Sequence, residues 1–168
     1  TFLDLYTIWK AKGTLENLDI GFIGDLKYGR TVHSLALALR YFNSKIYFIS
    51  PESLKMPSEV LDKLHDIKFE EMTDVYDVVE KLDILYATRI QKERFAFEAD
   101  FKKVKGSYNL DNNFLSKAKK DIKIMHPLPR VGEIKHELDS SDNALYFQQA
   151  HNGVPGRMAL LALILGKI

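Results

Sequence analysis

The segment from residue 83 to residue 95 has two halves of opposite character, and its sequence is Asp83-Ile84-Leu85-Tyr86-Ala87-Thr88-Arg89-Ile90-Gln91-Lys92-Glu93-Arg94-Phe95. The first half, with Leu82 before it, is a short apolar run of the kind that forms a buried parallel strand. The second half is polar and opens with neither a helix-start signal nor a glycine turn. Ligands in open α/β sheets bind just beyond the carboxyl ends of the strands, so recognition residues are expected in this polar half.

Arg89 and Gln91 alternate along the polar half, so both side chains point the same way if the segment is extended. A planar guanidinium fork beside an amide is suited to binding the carboxylate of a small ligand. A run of charged residues is also typical of a solvated loop. The segment alone leaves these two interpretations open.

Strands and helices alternate through the rest of the chain. Apolar runs predict strands at residues 19–24, 46–49, 67–69, 84–86 and 122–125. Helical spacing predicts helices at 1–12, from 31 for about three turns, near 60–64, after the N-cap Asp74 to 82, at 114–118 and, after a break at 153–156, at 154–168. Residues 96–113 show little periodicity and are predicted to form a loop. The alternation predicts an α/β fold, a doubly wound parallel sheet of about five strands with helices on both faces.

Length and composition narrow the classes of function. The 168 residues suffice for one domain, and a net charge of +1 favours neither a nucleic-acid-binding protein nor a membrane-surface protein. The absence of cysteine excludes disulfides, thiolate metal sites and a cysteine nucleophile, and it fits a reducing compartment. The histidines do not pair with carboxylates at metal-ligand spacing, and no serine lies in a nucleophile elbow. No metal site is therefore predicted.

A glycine-containing loop after the first predicted strand is a second candidate site. A strand, a glycine loop and a helix start direct backbone N–H groups and the helix dipole at an anion. The spacing of Gly24, Gly29, Arg30 and Thr31 is similar to a phosphate-binding P-loop, but arginine stands in place of the lysine, and no strand ends in a magnesium-binding aspartate. Arg30 is predicted to bind a second carboxylate or a phosphate, with an exposed arginine near a turn as the alternative.

A third candidate site, His126-Pro127-Leu128-Pro129-Arg130, follows the last predicted strand. The two prolines fix the backbone and remove two N–H donors, so the carbonyl groups of Pro127 and Leu128 can accept hydrogen bonds from a ligand. His126 by itself is more typical of a packed histidine than of a catalyst. Two arginines, one glutamine and these carbonyl groups at one sheet edge suit a ligand with two carboxylates and one amine. Such a ligand is a dicarboxylic amino acid.

The same segments resemble a known family over essentially all 168 residues. They are Gly24-Asp25-Leu26-Lys27-Tyr28-Gly29-Arg30-Thr31-Val32-His33-Ser34, Thr88-Arg89-Ile90-Gln91-Lys92-Glu93-Arg94, His126-Pro127-Leu128-Pro129-Arg130, and Tyr146-Phe147-Gln148-Gln149-Ala150 with the final helix. They look like aspartate carbamoyltransferase. The resemblance implies the aspartate-binding domain, 1–168, which is one half of a two-domain fold. The family transfers a carbamoyl group from carbamoyl phosphate to the amine of L-aspartate, giving N-carbamoyl-L-aspartate and phosphate in de novo pyrimidine biosynthesis.

The resemblance also implies roles for individual residues. Arg89 and Gln91 would hold one carboxylate of aspartate, Arg30 the other, and the carbonyls of Pro127 and Leu128 would orient the amine and the carbamoyl amide. Catalysis then rests on positioning and charge stabilisation, with no catalytic side chain, metal or cofactor supplied by this chain.

The partners implied by the resemblance lie outside this sequence. The family's carbamoyl-phosphate domain is not within the 168 residues, so the helices at 1–12 and 154–168 are expected to pack on it, and this polypeptide alone is expected to be inactive. The full-length enzyme is expected to be a cytoplasmic homotrimer, with or without regulatory chains, and to bind neither nucleic acid nor a membrane. Residues 96–101 resemble the loop that moves during domain closure but lack its usual proline.

Two alternatives are weighed against this interpretation. Ornithine carbamoyltransferase shares the fold and the co-substrate, but its motif resembles one with a cysteine at the position of Pro127 in this chain. An ornithine site would also need an acidic residue to bind the second amine of ornithine. A non-catalytic amino-acid-binding module is the other alternative. The sequence upstream of Thr1 distinguishes it from an enzyme, because only an enzyme needs a carbamoyl-phosphate half there.

Overall fold

Five parallel strands form the centre of the protein, in a computed structural model that describes residues 1–95 and 97–167. Their spatial order is β3-β2-β1-β4-β5, and their bounds are β1 (Asp19–Ile23), β2 (Lys45–Ile49), β3 (Phe69–Met72), β4 (Ile84–Ala87) and β5 (Lys123–Met125). The predicted doubly wound parallel sheet is thereby confirmed. The third strand lies slightly later in the chain than the predicted 67–69.

Helices cover both faces of the sheet. They are α1 (Phe2–Lys12), α2 (Arg30–Leu39), α3 (Ser58–Leu61), α4 (Glu98–Val104), α5 (Asn112–Lys117) and α6 (Tyr146–Ile164). On one face, α1 and α2 pack on the strand residues Phe22, Phe48 and Tyr86. On the other face, the 75–82 segment and α5 pack on Leu85 and Ile124. Within β1 and β4, alternate residues belong to opposite core clusters, as the two-residue period of a strand requires. Within residues 1–95 and 97–167, no helix has the length and apolar character needed to cross a membrane.

The order of the strands creates a topological switch point beside β1. The chain runs from β1 to β2 and β3 on one side, then returns to β4 and β5 on the other side of β1. Consecutive connections therefore leave the carboxyl ends of β1 and β4 in opposite directions, which opens a crevice between them. Ligands of open α/β sheets bind at such crevices.

The helix predicted after Asp74 is wrong. The chain forms only a 3₁₀ turn at Val75–Asp77, although the carboxylate of Asp74 does accept a hydrogen bond from the Tyr76 N–H at 2.9 Å. The segment must pass over β2 and β1 to reach β4, a sideways distance of roughly 14 Å. It must also return from the carboxyl end of β3 to the amino end of β4. A nine-residue α-helix rises only about 14 Å in total, so it is too short to cover both distances. The valines at helical spacing are nonetheless buried as the pattern predicts.

The loop predicted at 96–113 is also wrong in part, because α4 occupies Glu98–Val104. Only Val104 of this helix is buried, so the helix has almost no apolar stripe and leaves no periodic signal. Acidic residues in its first turn and lysines in its last turn complement the helix dipole. Ala96, the first residue of the predicted closing loop, lies outside the described residues.

The C-terminal helix begins earlier than predicted and has no break at 153–156. The α6 helix runs from Tyr146 through Pro155 without interruption. Gly153 and Gly156 face α1, and an added Cβ would lie 3.6 Å from Leu3 and 3.4 Å from Phe2, respectively. These are ordinary van der Waals distances, so the two glycines belong to the contact between α6 and α1 and not to a turn. Ile168, the last residue of the predicted helix, lies outside the described residues.

Candidate active site

Three segments meet at the carboxyl edge of the sheet and form a pocket of about 240 Å³. They follow β1, β4 and β5, and the residues that line the pocket are Tyr28, Gly29, Arg30, Thr31, Thr88, Arg89, Gln91, Arg94, His126, Pro127, Leu128 and Pro129. All five residues predicted to bind substrate, Arg30, Arg89, Gln91, Pro127 and Leu128, therefore line one pocket. Strand order brings them together, since they are separated by up to 98 positions in the chain.

The pocket is cationic. Arg30, Arg89 and Arg94 line it, and among the described lining residues there is no carboxylate. Arg30 is the first residue of α2, whose N-terminus adds the positive end of its dipole. Arg89 donates a hydrogen bond from Nη2 to Oε1 of Glu93 at 2.6 Å. Because Glu93 occupies only part of the guanidinium fork, Arg89 retains donors for a ligand.

The ends of β1 and β4 are joined by Thr88. Its Oγ1 donates to the Ile23 carbonyl at 3.2 Å and accepts from the Asp25 N–H at 3.0 Å. Gly24 has a φ of +116°, and a Cβ added there would lie 2.3 Å from the Thr88 carbonyl oxygen. Only glycine fits this position, since both the backbone conformation and the available space exclude a side chain. The segments that carry Arg30 and Arg89 are therefore held at a fixed separation.

Asp25 shapes the loop that leads from β1 to Arg30. Its side chain is fully buried, and Oδ1 accepts a hydrogen bond from the Tyr28 N–H at 2.9 Å. Burial raises the pKa of this carboxyl above its usual value, against the lowering effect of the backbone N–H groups around it. Gly29 then provides the N-cap residue of α2, with no side-chain cap. The loop thus delivers Arg30 to the pocket at the start of the helix.

The segment after β5 is fixed by His126. Its ring is buried, Nδ1 accepts from the Leu128 N–H at 2.8 Å, and Nε2 donates to Oε1 of Glu133 at 2.7 Å. Leu128 has a φ of +52°, a left-handed conformation that is unfavourable for leucine and is held here by the bond to His126. The expectation that His126 is a packed, hydrogen-bonded residue agrees with this geometry.

Arg130 anchors the other end of the same segment. Its guanidinium binds both carboxylate oxygens of Asp139, and it also contacts the hydroxyl of Tyr146 at 3.2 Å. The Arg130 side chain holds the pKa of Asp139 far below its usual range. Burial, together with the neighbouring Asp139, raises the pKa of Tyr146 to about 12. The residues that follow the two prolines are therefore tied to the start of α6.

We predict that Glu133 makes the stability of the protein depend on pH below neutrality. Burial acts to raise the pKa of Glu133, but hydrogen bonds from His126 and from backbone N–H groups outweigh it and lower the pKa from 4.5 to about 2. A carboxyl with a lowered pKa stabilises the fold above its unfolded-state pKa and loses that contribution as the pH falls towards its folded-state pKa. The contribution is on the order of 2 kcal/mol.

The measurement is the free energy of unfolding at pH 7 and at pH 3, for the wild type and for Glu133→Gln. The variant is expected to lose less stability between the two pH values than the wild type does. An identical loss in both proteins would contradict the prediction.

Several residues of the pocket region were not predicted from sequence. Arg94 lies in a 3₁₀ turn, Lys92–Arg94, that brings its side chain back to the pocket, and the charged run offered no sign of that turn. Thr88 could have been noticed as a hydroxyl directly after a buried strand. In the described part of the chain, no group of three His, Cys, Asp or Glu side chains is arranged to hold a metal ion. The arrangement is suited to binding a small anion with more than one acidic group.

Comparisons with known proteins agree with this chemistry. The family model described as "Aspartate/ornithine carbamoyltransferase, Asp/Orn binding domain" matches residues 16–164. The aspartate carbamoyltransferase catalytic subunit of Thermococcus kodakarensis is 55% identical over 168 residues, which is 99% of this chain and 54% of the relative. That of Haloarcula marismortui is 54% identical over 99% of this chain and 55% of the relative. The chain thus spans about half the length of these relatives.

Solved structures give the same picture. The catalytic subunit of M. jannaschii aspartate transcarbamoylase superposes with a TM-score of 0.91 at 44% identity, covering 99% of this chain and 56% of that one. Aspartate transcarbamoylase from Trypanosoma cruzi, in complex with N-(phosphonacetyl)-L-aspartic acid, superposes with a TM-score of 0.88 at 36% identity, covering 95% of this chain and 53% of that one.

Proposed function

This chain belongs to the aspartate/ornithine carbamoyltransferase family, and we propose that it is the aspartate-binding half of an aspartate carbamoyltransferase. The complete enzyme transfers the carbamoyl group of carbamoyl phosphate to the amine of L-aspartate. One observation carries the proposal. Three cationic side chains and an amide, from segments far apart in sequence, line a single pocket at the switch point of the sheet.

The charge of the pocket favours aspartate over ornithine. The amine acceptors differ at the side chain, which carries a carboxylate in aspartate and an ammonium in ornithine. Arg30, Arg89 and Arg94 line the pocket, so they would attract the carboxylate and repel the ammonium. The relatives cited above are aspartate carbamoyltransferases, which supports the same choice.

The proposed mechanism uses this half for positioning. Arg89 and Gln91 hold one carboxylate of aspartate, and Arg30 holds the other through charge-assisted hydrogen bonds. The carbonyls of Pro127 and Leu128 accept hydrogen bonds from the amine and from the carbamoyl amide, which aligns the nitrogen lone pair with the carbamoyl carbon. The amine attacks that carbon, the bond between the carbon and the phosphate oxygen breaks, and the phosphate leaves with the proton that the amine gives up. Bringing the two reactants into this geometry removes most of the entropic cost of a bimolecular step.

The partner of this half is proposed to dock on α1 and α6. Apolar side chains on these helices are exposed to solvent, among them Phe2, Trp9, Met158, Leu161 and Ile164. An exposed apolar patch of this kind is typical of an interaction surface. We assign it to the carbamoyl-phosphate-binding half, since this chain matches about half of each relative.

From the resemblance, we also propose that the full-length enzyme is a cytoplasmic homotrimer that acts in de novo pyrimidine synthesis.

We predict that the 168-residue polypeptide alone forms no carbamoyl-aspartate. Its pocket can hold aspartate, but the residues that bind carbamoyl phosphate are proposed to lie in the other half. The measurement is carbamoyl transfer by this polypeptide and by the full-length chain, each supplied with L-aspartate and with L-ornithine. Turnover of aspartate by the full-length chain only is the expected result. Turnover of neither amine by a folded full-length chain would favour a non-catalytic binding module, and turnover by the 168 residues alone would contradict the prediction.

A further inference from the structure

Helices α1 and α6 are joined by two buried polar contacts. Gln149 donates from Nε2 to Oδ1 of Asp4 at 2.7 Å, and Asn152 donates from Nδ2 to Oγ1 of Thr7 at 2.9 Å. Each helix supplies two residues three positions apart, which lie on the same helix face. All four side chains are at most 3% exposed. The two contacts therefore form matched rungs between the same pair of helices.

Only the first rung also reaches the pocket. The Oε1 atom of Gln149 accepts a hydrogen bond from the backbone N–H of His126 at 2.8 Å. His126 directly follows the last residue of β5 and precedes the two residues whose carbonyls are proposed to bind the amine. Gln149 thus connects Asp4 of α1 to the first residue of the pocket segment, and Asn152 makes no such contact.

The bond to His126 matters because the segment has few other backbone donors. Of residues 126–129, Pro127 and Pro129 have no N–H group, which leaves the N–H groups of His126 and Leu128. The Leu128 N–H binds the His126 ring, and the His126 N–H binds Gln149. Gln149 therefore holds one of only two backbone donors in this segment, and it is the one that connects the segment to a helix.

We propose that Gln149 is a positioning residue for carbamoyl transfer. Its side-chain amide receives the His126 N–H on one side and donates to Asp4 on the other. It thereby fixes the position of the Pro127 and Leu128 carbonyl groups relative to α1 and α6, on which the other half of the enzyme is proposed to dock. The inference rests on the proposed function, and it assigns Gln149 no contact with substrate.

The test replaces Gln149 with methionine and, as a matched control, Asn152 with leucine, each in the full-length enzyme. Each substitution removes one buried rung and keeps the volume of the side chain similar. For Gln149→Met, kcat is expected to fall about 10- to 100-fold, because a displaced carbonyl misaligns the attacking amine. The KM for aspartate is expected to change less than about threefold, because Arg30, Arg89 and Gln91 still bind the carboxylates. For Asn152→Leu, kcat is expected to stay within about threefold of the wild type.

A double variant tests the hydrogen bonds themselves. Gln149→Glu alone places a carboxylate against Asp4 and is expected to be nearly inactive. Combined with Asp4→Asn, the carboxylate still accepts from His126, and the amide at position 4 donates to it, so both bonds are restored. The double variant is expected to recover kcat to within about threefold of the wild type. This comparison also serves if Gln149→Met does not fold.

Two outcomes would overturn the inference. One is an equal effect of Gln149→Met and Asn152→Leu on kcat, which would make both residues simple helix contacts. The other is a folded double variant whose kcat remains as low as that of Gln149→Glu. Failure of the proposed function is distinguishable from both, because the wild-type full-length chain would then not turn over aspartate at all.

Discussion

Replacing Arg89 with alanine in the full-length enzyme is expected to reduce kcat/KM for aspartate by about 100- to 10,000-fold. The guanidinium can make two charge-assisted hydrogen bonds to one carboxylate, each worth about 1.5–3 kcal/mol, and each 1.36 kcal/mol corresponds to a factor of ten. The Arg89 side chain is 35% exposed, and its ion pair is to Glu93. The variant should therefore fold normally and lose binding rather than stability.

Two comparisons sharpen this experiment. Arg89→Lys retains the charge but not the planar fork, so it is expected to recover only a small part of the activity. Lys92→Ala removes a neighbouring positive charge that lies outside the pocket and pairs with Glu98 at 3.1 Å. That control should behave like the wild type. If Lys92→Ala lost as much activity as Arg89→Ala, the effect would be one of general charge and not of a carboxylate site.

Substituting Gly24 with alanine is expected to destabilise the fold by about 3 kcal/mol or more, the range reached when a mutation creates backbone strain together with a steric clash. The φ of +116° disfavours any L side chain, and the new methyl group would lie 2.3 Å from the carbonyl oxygen of Thr88. This clash is relieved only if the segment that contains Gly24 moves away from the segment that contains Thr88. Any folded enzyme that remains should therefore also bind aspartate more weakly.

Gly132→Ala is the matched control for this change. A Cβ at Gly132 meets no heavy atom within 4 Å, so the same one-carbon addition is expected to be nearly neutral. Urea-induced unfolding and the KM for aspartate measure the two expected effects. A Gly24→Ala protein within about 1 kcal/mol of the wild type, the usual effect of an unremarkable substitution, would show that the contact between the two segments is not tight.

Local sequence patterns predicted most of the secondary structure correctly. Apolar runs located β1, β2, β4 and β5, because a buried parallel strand must be apolar on both faces. The predicted end of the first helix at residue 12 agrees with α1, which is followed by Gly13 in a left-handed conformation. Arg30, Arg89, Gln91, Pro127 and Leu128 were recognisable as candidate site residues, because each lies in a segment that follows a predicted strand. These features depend only on neighbouring residues in the chain, so tertiary packing did not change them.

Local patterns failed where a distant contact outweighed them. The valines after Asp74 have helical spacing, yet the distance from β3 to β4 requires a longer path than a helix would provide. Gly153, Pro155 and Gly156 have the composition of a turn, yet they lie within α6, and the two glycines face α1. In both places a propensity of a few tenths to about 1 kcal/mol per residue yields to packing.

The sequence was therefore sufficient for the fold class, for the strands and for the three segments that carry the charged and carbonyl groups. The order of the strands decided the rest, since that order alone brings the ends of β1, β4 and β5 to one pocket. The contacts of Thr88 with Ile23 and of Gln149 with His126 join residues 65 and 23 positions apart. Such contacts depend on which elements pack together, and no periodicity within a single segment records them.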